Sequence, residues 1–255
     1  MGAPSKFSHP YLSLAHPIPF AHRGGTSQAP ENSLLSFSVA VGLGYQYLET
    51  DVHATSDGIL VAFHDERLDR LTDSHGLIRE LTYSEIQKAL IDGREPIPTM
   101  RELLVAFPAA HFNIDAKHET SVQPLANLLK ETDCLDRVLV GSFSDTRLRA
   151  LRELLGESLA TSMGPRAIVL LSLAAFGVPW RRFRAVAAQV PIAMLRRRWF
   201  AERLVRAAHQ RGIAVHVWTV DDADDMRYLL DLGVDGIMTD EIHILKAVFE
   251  DRQIW

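Results

Sequence analysis

Cysteine is nearly absent from this 255-residue chain, which contains Cys134 and no other. A single cysteine excludes an intrachain disulfide, and it excludes a zinc site built from several sulfur ligands. Proteins without disulfides are typical of reducing compartments. The cysteine count therefore fits the cytoplasm, which is the location that we expect.

Long apolar runs are also missing. The longest, Ala167 to Val178, is interrupted by Ser172 and Gly177, and it is shorter than the roughly 20 apolar residues that a transmembrane helix needs. Residues 1–17 lack the apolar core of a secretory signal peptide and contain two His-Pro steps. We therefore predict no transmembrane helix and an extended N-terminal arm over residues 1–17.

An excess of positive charge is the third absence, because the formal net charge is -5. Nucleic-acid-binding proteins usually carry a basic surface, so we predict no nucleic-acid partner. Hydrophobic residues make up 47% of the chain and charged residues 23%, which is the composition of a globular protein. The length is long for one ordinary core but normal for a single α/β barrel domain.

Strand and helix patterns alternate along the rest of the chain. Eight segments have the pattern of short strands: residues 18–22, 45–52, 110–116, 137–141, 158–161, 184–189, 213–219 and 235–239. This alternation predicts an α/β fold, a (β/α)8 TIM barrel over residues 18–255, with its chemistry at the carboxyl ends of the strands. Residues 66–100 break the alternation and predict a small insertion after the second strand.

The segment from Tyr45 to Asp65 places acidic groups in a strand. Glu49 and Asp51 are two residues apart, so their side chains point to the same face. A turn at residues 56–58 then returns the chain as a second apolar strand, which brings His64 back towards the two carboxylates. The carboxylates repel each other, so they indicate either a hard divalent metal such as Ca²⁺ or Mg²⁺ or, as the alternative, a solvated strand edge.

Five short motifs occur in order over the first quarter of the chain. They are His22-Arg23-Gly24, Pro30-Glu31-Asn32-Ser33, Glu49-x-Asp51-Val52, Thr55-x-Asp57-Gly58 and His64-Asp65. In this order and at this spacing, the chain resembles the glycerophosphodiester phosphodiesterase family. The resemblance continues through Asp115-x-Lys117, Val215 to Asp222 and Gly233 to Asp240, and so covers most of the chain.

The resemblance implies a metal-dependent hydrolase that converts glycerophosphodiesters to glycerol 3-phosphate and an alcohol. It implies Ca²⁺ or Mg²⁺ as the cofactor, held by Glu49, Asp51 and Asp115. It also implies an acid/base pair formed by His22 and His64, either of which is a candidate for the base. The family commonly has Glu where this chain has Asp115, so the shorter side chain predicts contact with the metal through water.

Four polar residues are further candidates for binding a phosphodiester substrate. Arg23 offers two donors to phosphate oxygens and Lys117 offers a point charge, whereas a surface position is the alternative for each. Glu31 and Asn32 either start a helix or orient His22 or the phosphate.

Aromatic residues give two further predictions. Phe143 and Trp218 are either core residues or part of the substrate pocket. Aromatic and arginine residues also cluster at residues 180–184 and 196–200. These two clusters indicate either solvated chain or a basic, aromatic rim that makes peripheral contact with anionic membrane lipid.

Two other functions remain as alternatives. A lipid-binding rim would favour a lysophospholipase D that acts on lysophospholipids. A catalytically silent barrel that binds phosphodiesters or headgroups is the non-enzyme alternative. The presence of both histidines and all three acids disfavours the silent barrel, because without activity nothing would retain the repelling carboxylates together.

Overall fold

The computed structural model describes residues 7, 9–12, 17–179 and 182–255. Much of the predicted N-terminal arm, residues 1–6, 8 and 13–16, therefore lies outside the described residues. Trp180 and Arg181 of the predicted rim lie outside them as well. Within the arm, Pro10–Leu12 form a 3-10 turn in which Tyr11 and Leu12 are buried.

The strands alternate with helices as predicted. They are β1 (Ile18–Ala21), β2 (Tyr47–Ala54), β3 (Leu60–Ala62), β4 (Leu90–Ile91), β5 (Glu95–Pro96), β6 (His111–Ala116), β7 (Val138–Gly141), β8 (Ala160–Thr161), β9 (Ala187–Pro191), β10 (Ala214–Trp218) and β11 (Gly236–Thr239). Eight of them follow one another in the order β8-β7-β6-β2-β1-β11-β10-β9, and every neighbouring pair is parallel.

The two end strands of this order also meet. Ser162 and Ala187 form a parallel bridge, and the Met163 amide donates to the Ala187 carbonyl at 2.8 Å. The sheet therefore closes into a barrel, and the predicted (β/α)8 fold is confirmed. The strand expected at residues 184–189 begins three residues later, at Ala187, and runs to Pro191.

The helices pack around the outside of the barrel. They are α1 (Leu34–Gly42), α2 (Tyr83–Ile86), α3 (Met100–Ala106), α4 (Val122–Glu131), α5 (Asp145–Leu155), α6 (Pro165–Ala174), α7 (Ile192–Leu195), α8 (Arg198–His209), α9 (Ala223–Leu232) and α10 (Ile242–Asp251). Ser33 caps α1, and Thr82 and Thr99 form capping boxes at α2 and α3. No helix of the described residues is long and apolar enough to cross a bilayer.

Residues 66–100 form a compact addition beside the barrel. Because β3 runs antiparallel to β2, from Leu60 opposite Ala54 to Ala62 opposite Val52, it returns the chain from the tip of β2 towards Asp51, and the addition follows it. Its hairpin of β4 and β5 and its helix α2 enclose a small core of their own. The fully buried members of that core include Phe63, Leu68, Ile78, Ile86 and Ile91.

Side chains fill the amino end of the barrel. A buried cluster there joins the N-terminal turn to seven of the eight barrel strands: Tyr11, Leu12, Ile18, Phe20, Tyr47, Leu139, Ala160, Ala187, Ala214 and Met238. Tyr11 packs edge-on against Tyr47, with ring centroids 5.3 Å apart. Side chains therefore fill the barrel interior at its amino end, and the space for a ligand lies at the carboxyl ends of the strands.

Candidate active site

A cavity of about 400 Å³ opens at the carboxyl ends of the barrel strands. One wall is polar and comes from β1, β2, β6 and the segment after β3; it contains His22, Arg23, Glu49, Asp51, His64, Asp115 and Lys117. The opposite wall is largely apolar and comes from the ends of β8 and β9 and the start of α6; it contains Met163, Pro165, Ile168, Val190 and Pro191. The cavity therefore offers charged and apolar surfaces to one ligand.

His22 follows β1 and enters the cavity from a tight turn. Gly24 has φ +84°, and a Cβ at this position would lie 2.4 Å from Ser36 Oγ, so only glycine fits the turn against α1. The imidazole Nδ1 of His22 donates to Asp240 at 2.9 Å, and its Nε2 lies 3.7 Å from Glu49. Burial lowers the pKa of His22, but Glu49 and Asp240 outweigh burial and the net shift is upward.

His64 has a second carboxylate partner. Its Nδ1 donates to Asp65 at 2.7 Å, and Arg70 binds the same carboxylate with its Nε 2.6 Å from Oδ2. The hydrogen bond from Arg70 is the largest contribution that holds the pKa of Asp65 below its usual value. His53 donates to the His64 carbonyl at 3.1 Å. His64 is therefore oriented at both its side chain and its backbone.

The three acids lie on neighbouring strands. Glu49 and Asp51 are on β2, and Asp115 of β6 is directly opposite Asp51 in the strand register. Lys117 places its Nζ 2.8 Å from Asp51 Oδ1 and 2.9 Å from Asp115 Oδ2. The single positive charge of Lys117 is thus shared between two carboxylates.

Burial and neighbours move the two acids of β2 in opposite directions. Burial, together with the charge of Asp51, raises the pKa of Glu49 to about 7. Burial acts in the same direction on Asp51, but Lys117 and Arg23 hold its pKa below the usual value. Burial lowers the pKa of Lys117 itself, but the two carboxylates it binds outweigh this and raise it. Asp51 is therefore fully ionised at neutral pH, whereas Glu49 lacks a sufficient positive partner.

Arg23 connects the acids of β2 to the insertion. Its Nη1 donates to Glu31 at 3.0 Å and its Nε lies 3.4 Å from Asp51. Glu31 also accepts from Arg70 at 3.2 Å. A continuous chain of charges therefore runs from Asp51 through Arg23 and Glu31 to Arg70, which holds the partner of His64.

Asn32 lies below the acids and is 1% exposed. Its Nδ2 donates to Asp51 Oδ2 at 3.3 Å, and its Oδ1 accepts from the Thr50 hydroxyl at 2.8 Å. Neither Asn32 nor Glu31 is among the described residues that line the cavity. Asn32 contacts Asp51 and Thr50, and Glu31 contacts Arg23 and Arg70, so the predicted contact of Asn32 and Glu31 with the phosphate stays a prediction.

Phe143 and Trp218 both line the cavity. Their rings meet edge to face with centroids 5.7 Å apart, and Phe143 is 63% exposed. Lys117 Nζ lies 5.9 Å from the centre of the Phe143 ring. The structure therefore places the two aromatic residues at the mouth of the cavity and close to its charged wall.

The family model described as "Glycerophosphoryl diester phosphodiesterase family" matches residues 22–244 of this chain. The chain belongs to this family. The matched region begins at His22 and includes the acids, the second histidine, Lys117 and Asp240, so the whole cavity lies within it.

Similar proteins carry the same description. The chain is 37% identical over 244 residues to "Probable glycerophosphodiester phosphodiesterase 2" of Mycobacterium tuberculosis, covering 93% of this chain and 92% of that protein. It is 32% identical to a glycerophosphodiester phosphodiesterase of Caldanaerobacter subterraneus, covering 87% and 93%. A phosphodiesterase of Oleispira antarctica, solved in complex with the product sn-glycerol-3-phosphate, shares the fold with TM-score 0.77, 24% identity and coverage of 92% and 97%.

Several site residues of this family member were not predicted from the sequence. Asp240, Asp65 and Arg70 hold the two histidines. Gln189 reaches into the cavity and donates to Asn113 at 2.7 Å. Asp65 and Asp240 lie inside recognised motifs and Asp65 directly follows His64, but no local pattern connects Asp240 to His22 or identifies Arg70 and Gln189.

The acids suit a hard cation chemically. All three supply oxygen ligands, Asp115 Oδ1 is buried without a hydrogen-bond partner, and Glu49 lacks a full counter-charge. No three carboxylate, imidazole or thiol groups within the described ranges converge closely enough to bind one metal ion. Lys117 lies between Asp51 and Asp115 instead, so the predicted ligand set of Glu49, Asp51 and Asp115 stays a prediction.

Proposed function

We propose that the chain hydrolyses glycerophosphodiesters to glycerol 3-phosphate and an alcohol, with His22 and His64 as the acid/base pair. The observation that carries the proposal is the pair of imidazoles in one cavity, each held by a carboxylate at Nδ1. Such a contact fixes the ring and leaves Nε2 for proton exchange with a substrate. Membership of the phosphodiesterase family supports the same assignment.

Two steps, each with two proton transfers, account for the chemistry. One imidazole accepts the proton of a glycerol hydroxyl as that oxygen attacks the adjacent phosphorus. The other imidazole protonates the oxygen that leaves with the alcohol. Water then opens the cyclic phosphate with the two roles reversed, which yields glycerol 3-phosphate and returns both histidines to their starting states.

Two cations in the cavity are suited to the charge on the phosphate. The non-bridging oxygens carry negative charge, so fixed positive groups directed at them stabilise the transition state. Arg23 and Lys117 both line the cavity, and each is held in place by carboxylates. Phe143 and Trp218 complete the mouth and are placed to contact the alcohol group of the substrate.

Glu49, Asp51 and Asp115 are the residues that would hold a divalent cation. When bound, Ca²⁺ or Mg²⁺ supplies positive charge that stabilises the phosphate oxygens. The unpartnered oxygen of Asp115 and the raised pKa of Glu49 support this assignment, since both groups gain from a nearby cation.

The experiment is the release of glycerol 3-phosphate from glycerophosphocholine and glycerophosphoethanolamine. Turnover is measured with a chelator, and again after Ca²⁺ or Mg²⁺ is restored. We expect turnover that the chelator abolishes and that one of the two cations restores. Turnover that persists in chelator would contradict the metal assignment but leave the phosphodiesterase assignment in place.

A lysophosphatidylcholine added to the same series tests the second candidate. The apolar wall of Met163, Ile168 and Pro191 offers a surface for an acyl chain, which favours lysophospholipase D activity as that candidate. Release of choline from lysophosphatidylcholine, with no turnover of the two short diesters, would support lysophospholipase D activity. Binding of the diesters without any turnover would contradict both assignments and support a silent binding barrel.

A further inference from the structure

Positive charge is concentrated in one part of an acidic chain. Between Glu157 and Glu202 the sequence has seven arginines and no acidic residue, although the whole chain has a net charge of -5. The arginines are Arg166, Arg181, Arg182, Arg184, Arg196, Arg197 and Arg198. This segment contains α6 and the start of α8, so the described arginines among them, all except Arg181, lie on one side of the barrel.

The same side exposes large apolar residues. Val169, Leu173, Phe176, Val178 and Trp199 are each between 44% and 58% exposed, and they are called the α6 face below. Leu171 and Ala174 of the same helix are buried against the barrel. Helix α6 is therefore apolar on its outer side as well as its inner side, which is unusual for a helix that faces water.

Aromatic side chains bring the two ends of this segment together. The Phe176 ring lies 6.0 Å from Trp199 and 6.0 Å from Phe200, measured between centroids. Arg203 lies over the Phe176 ring at 5.6 Å. The α6 face is thus one continuous surface that joins the end of α6 to the start of α8.

Several arginines around this face are free of acidic partners. Arg196 and Arg198 pair with Asp225 and Glu202. In the part of the chain that the structure describes, Arg166, Arg182 and Arg197 form no ion pair. Arg197 is two residues from the exposed Trp199 in the chain, and an unpaired guanidinium there is available to an anionic partner.

We propose that the α6 face docks on an anionic lipid bilayer. Exposed Trp and Phe insert at the level of the headgroups, and arginines around them bind lipid phosphates. Exposed apolar groups accompanied by unpaired arginines fit a bilayer, which presents an apolar layer below a negative surface. A protein partner would have to offer the same two features in a matching shape.

Docking in this way places the cavity beside the lipid surface. Pro165 and Ile168 line the cavity, and Val169 and Leu173 of the same helix belong to the α6 face. The helix thus separates the cavity from the docking surface by its own width, about 10 Å. Substrates released from or held in the bilayer would therefore reach the cavity over a short distance.

The experiment measures binding of the full chain to lipid vesicles and needs no enzymatic activity. The probes are vesicles of phosphatidylcholine alone and of phosphatidylcholine with phosphatidylglycerol in equal parts, separated from free protein by sedimentation. We expect binding to the anionic vesicles, little binding to the neutral ones, and a marked loss of binding in about 0.5 M salt, where surface charges are screened.

Two variants separate the apolar and the charged contributions. F176S/W199S removes the aromatic groups, and R182E/R197E reverses two charges; each should weaken binding by at least about tenfold. The matched control V105S/R94E makes the same kinds of change on exposed residues of α3 and the β4–β5 hairpin and should bind as the unmodified chain does. Thermal unfolding of each variant shows that the fold is retained.

Three results would overturn the proposal. They are no binding to anionic vesicles, binding that neither variant weakens, and a dimer in solution that F176S/W199S dissociates. The last result would assign the α6 face to a second copy of the chain. Because none of these readouts depends on turnover, they are independent of the proposed hydrolase activity.

Discussion

The carboxyl end of the barrel and the layer of side chains beneath it both bury titratable groups. The group at the carboxyl end is charged, whereas the group in the layer beneath is neutral. Asp51 at the carboxyl end is 2% exposed, and it stays charged because Lys117 and Arg23 lie against it. His216 in the layer beneath is fully buried, and its pKa is lowered to about 4 by burial. The Nδ1 of His216 lies 3.4 Å from the side-chain nitrogen of Gln189, and the Nε2 of His216 has no hydrogen-bond partner.

The comparison shows that burial by itself does not decide whether a side chain is charged. Removing an ionised group from water is costly, so an isolated buried group becomes neutral, whereas a group with an opposite charge within hydrogen-bond distance stays ionised. Glu49 lies between these limits, with a pKa of about 7. The charge of the buried acids at the carboxyl end therefore depends on the cationic side chains that contact them, whereas the layer beneath stays neutral.

The largest effect is expected from the histidines of the charged end. His22→Ala and His64→Ala each remove a proton-transfer group, so turnover should fall by about 10² to 10⁴, the usual contribution of general acid–base catalysis. The measurement is release of glycerol 3-phosphate under saturating substrate. His75→Ala is the control, because His75 has a 79% exposed side chain in the insertion. Retention of full turnover in either histidine variant would refute the assigned acid/base pair.

Lys117→Met removes the charge that Asp51 and Asp115 share. Asp115 then loses its ion-pair partner and Asp51 keeps only Arg23, so the free energy of unfolding should fall by about 3–5 kcal/mol. Urea denaturation in the presence of chelator measures this, since a bound cation would replace the lost charge. Lys130→Met on the exposed side of α4 is the matched control. A loss of unfolding free energy no greater than in Lys130→Met would show that Asp51 and Asp115 are stable in the folded chain without Lys117.

Asp240→Asn weakens the group that orients His22 and leaves the imidazole in place. Turnover should fall by about ten- to a hundredfold, as is typical when a carboxylate that positions a functional histidine is replaced. The exposed Asp224→Asn on α9 provides the control, because its side chain is 92% exposed. If Asp240→Asn matched His22→Ala in its loss of turnover, Asp240 would have a larger role than orientation.

Local sequence patterns predicted most of the barrel. Short strand-like segments alternating with helical ones located β1, β2, β6, β10 and β11, and Ser33, Thr82 and Thr99 are capping residues that precede three helices. Such signals lie within a few residues of the element they specify, so they can be read without the fold. The late start of β9 and the four-residue helix α7 were missed because neither has a distinctive pattern.

Contacts between distant residues explain what the sequence could not predict in the site. Asp240 and His22 are 218 positions apart, and they meet because β1 and β11 are neighbours in the closed barrel. Arg70 reaches Glu31 from the insertion. No spacing rule in the sequence connects such pairs. The motifs could therefore identify individual site residues but not the contacts between their side chains.

The smallest effect tests the neutral layer beneath the site. The pKa of His216 is about 4 in the folded chain against a usual 6.5, so the unfolded chain takes up this proton first. The stability from a neutral His216 is therefore complete above pH 6.5 and is lost as the pH falls towards 4. Between pH 7 and 5.5, urea unfolding of the unmodified chain should lose about 1 kcal/mol more than His216→Gln. The exposed His75→Gln should lose as much unfolding free energy as the unmodified chain. Equal losses in the unmodified chain, His216→Gln and His75→Gln would mean that His216 is protonated despite its burial. The layer beneath the site would then not differ from the carboxyl end.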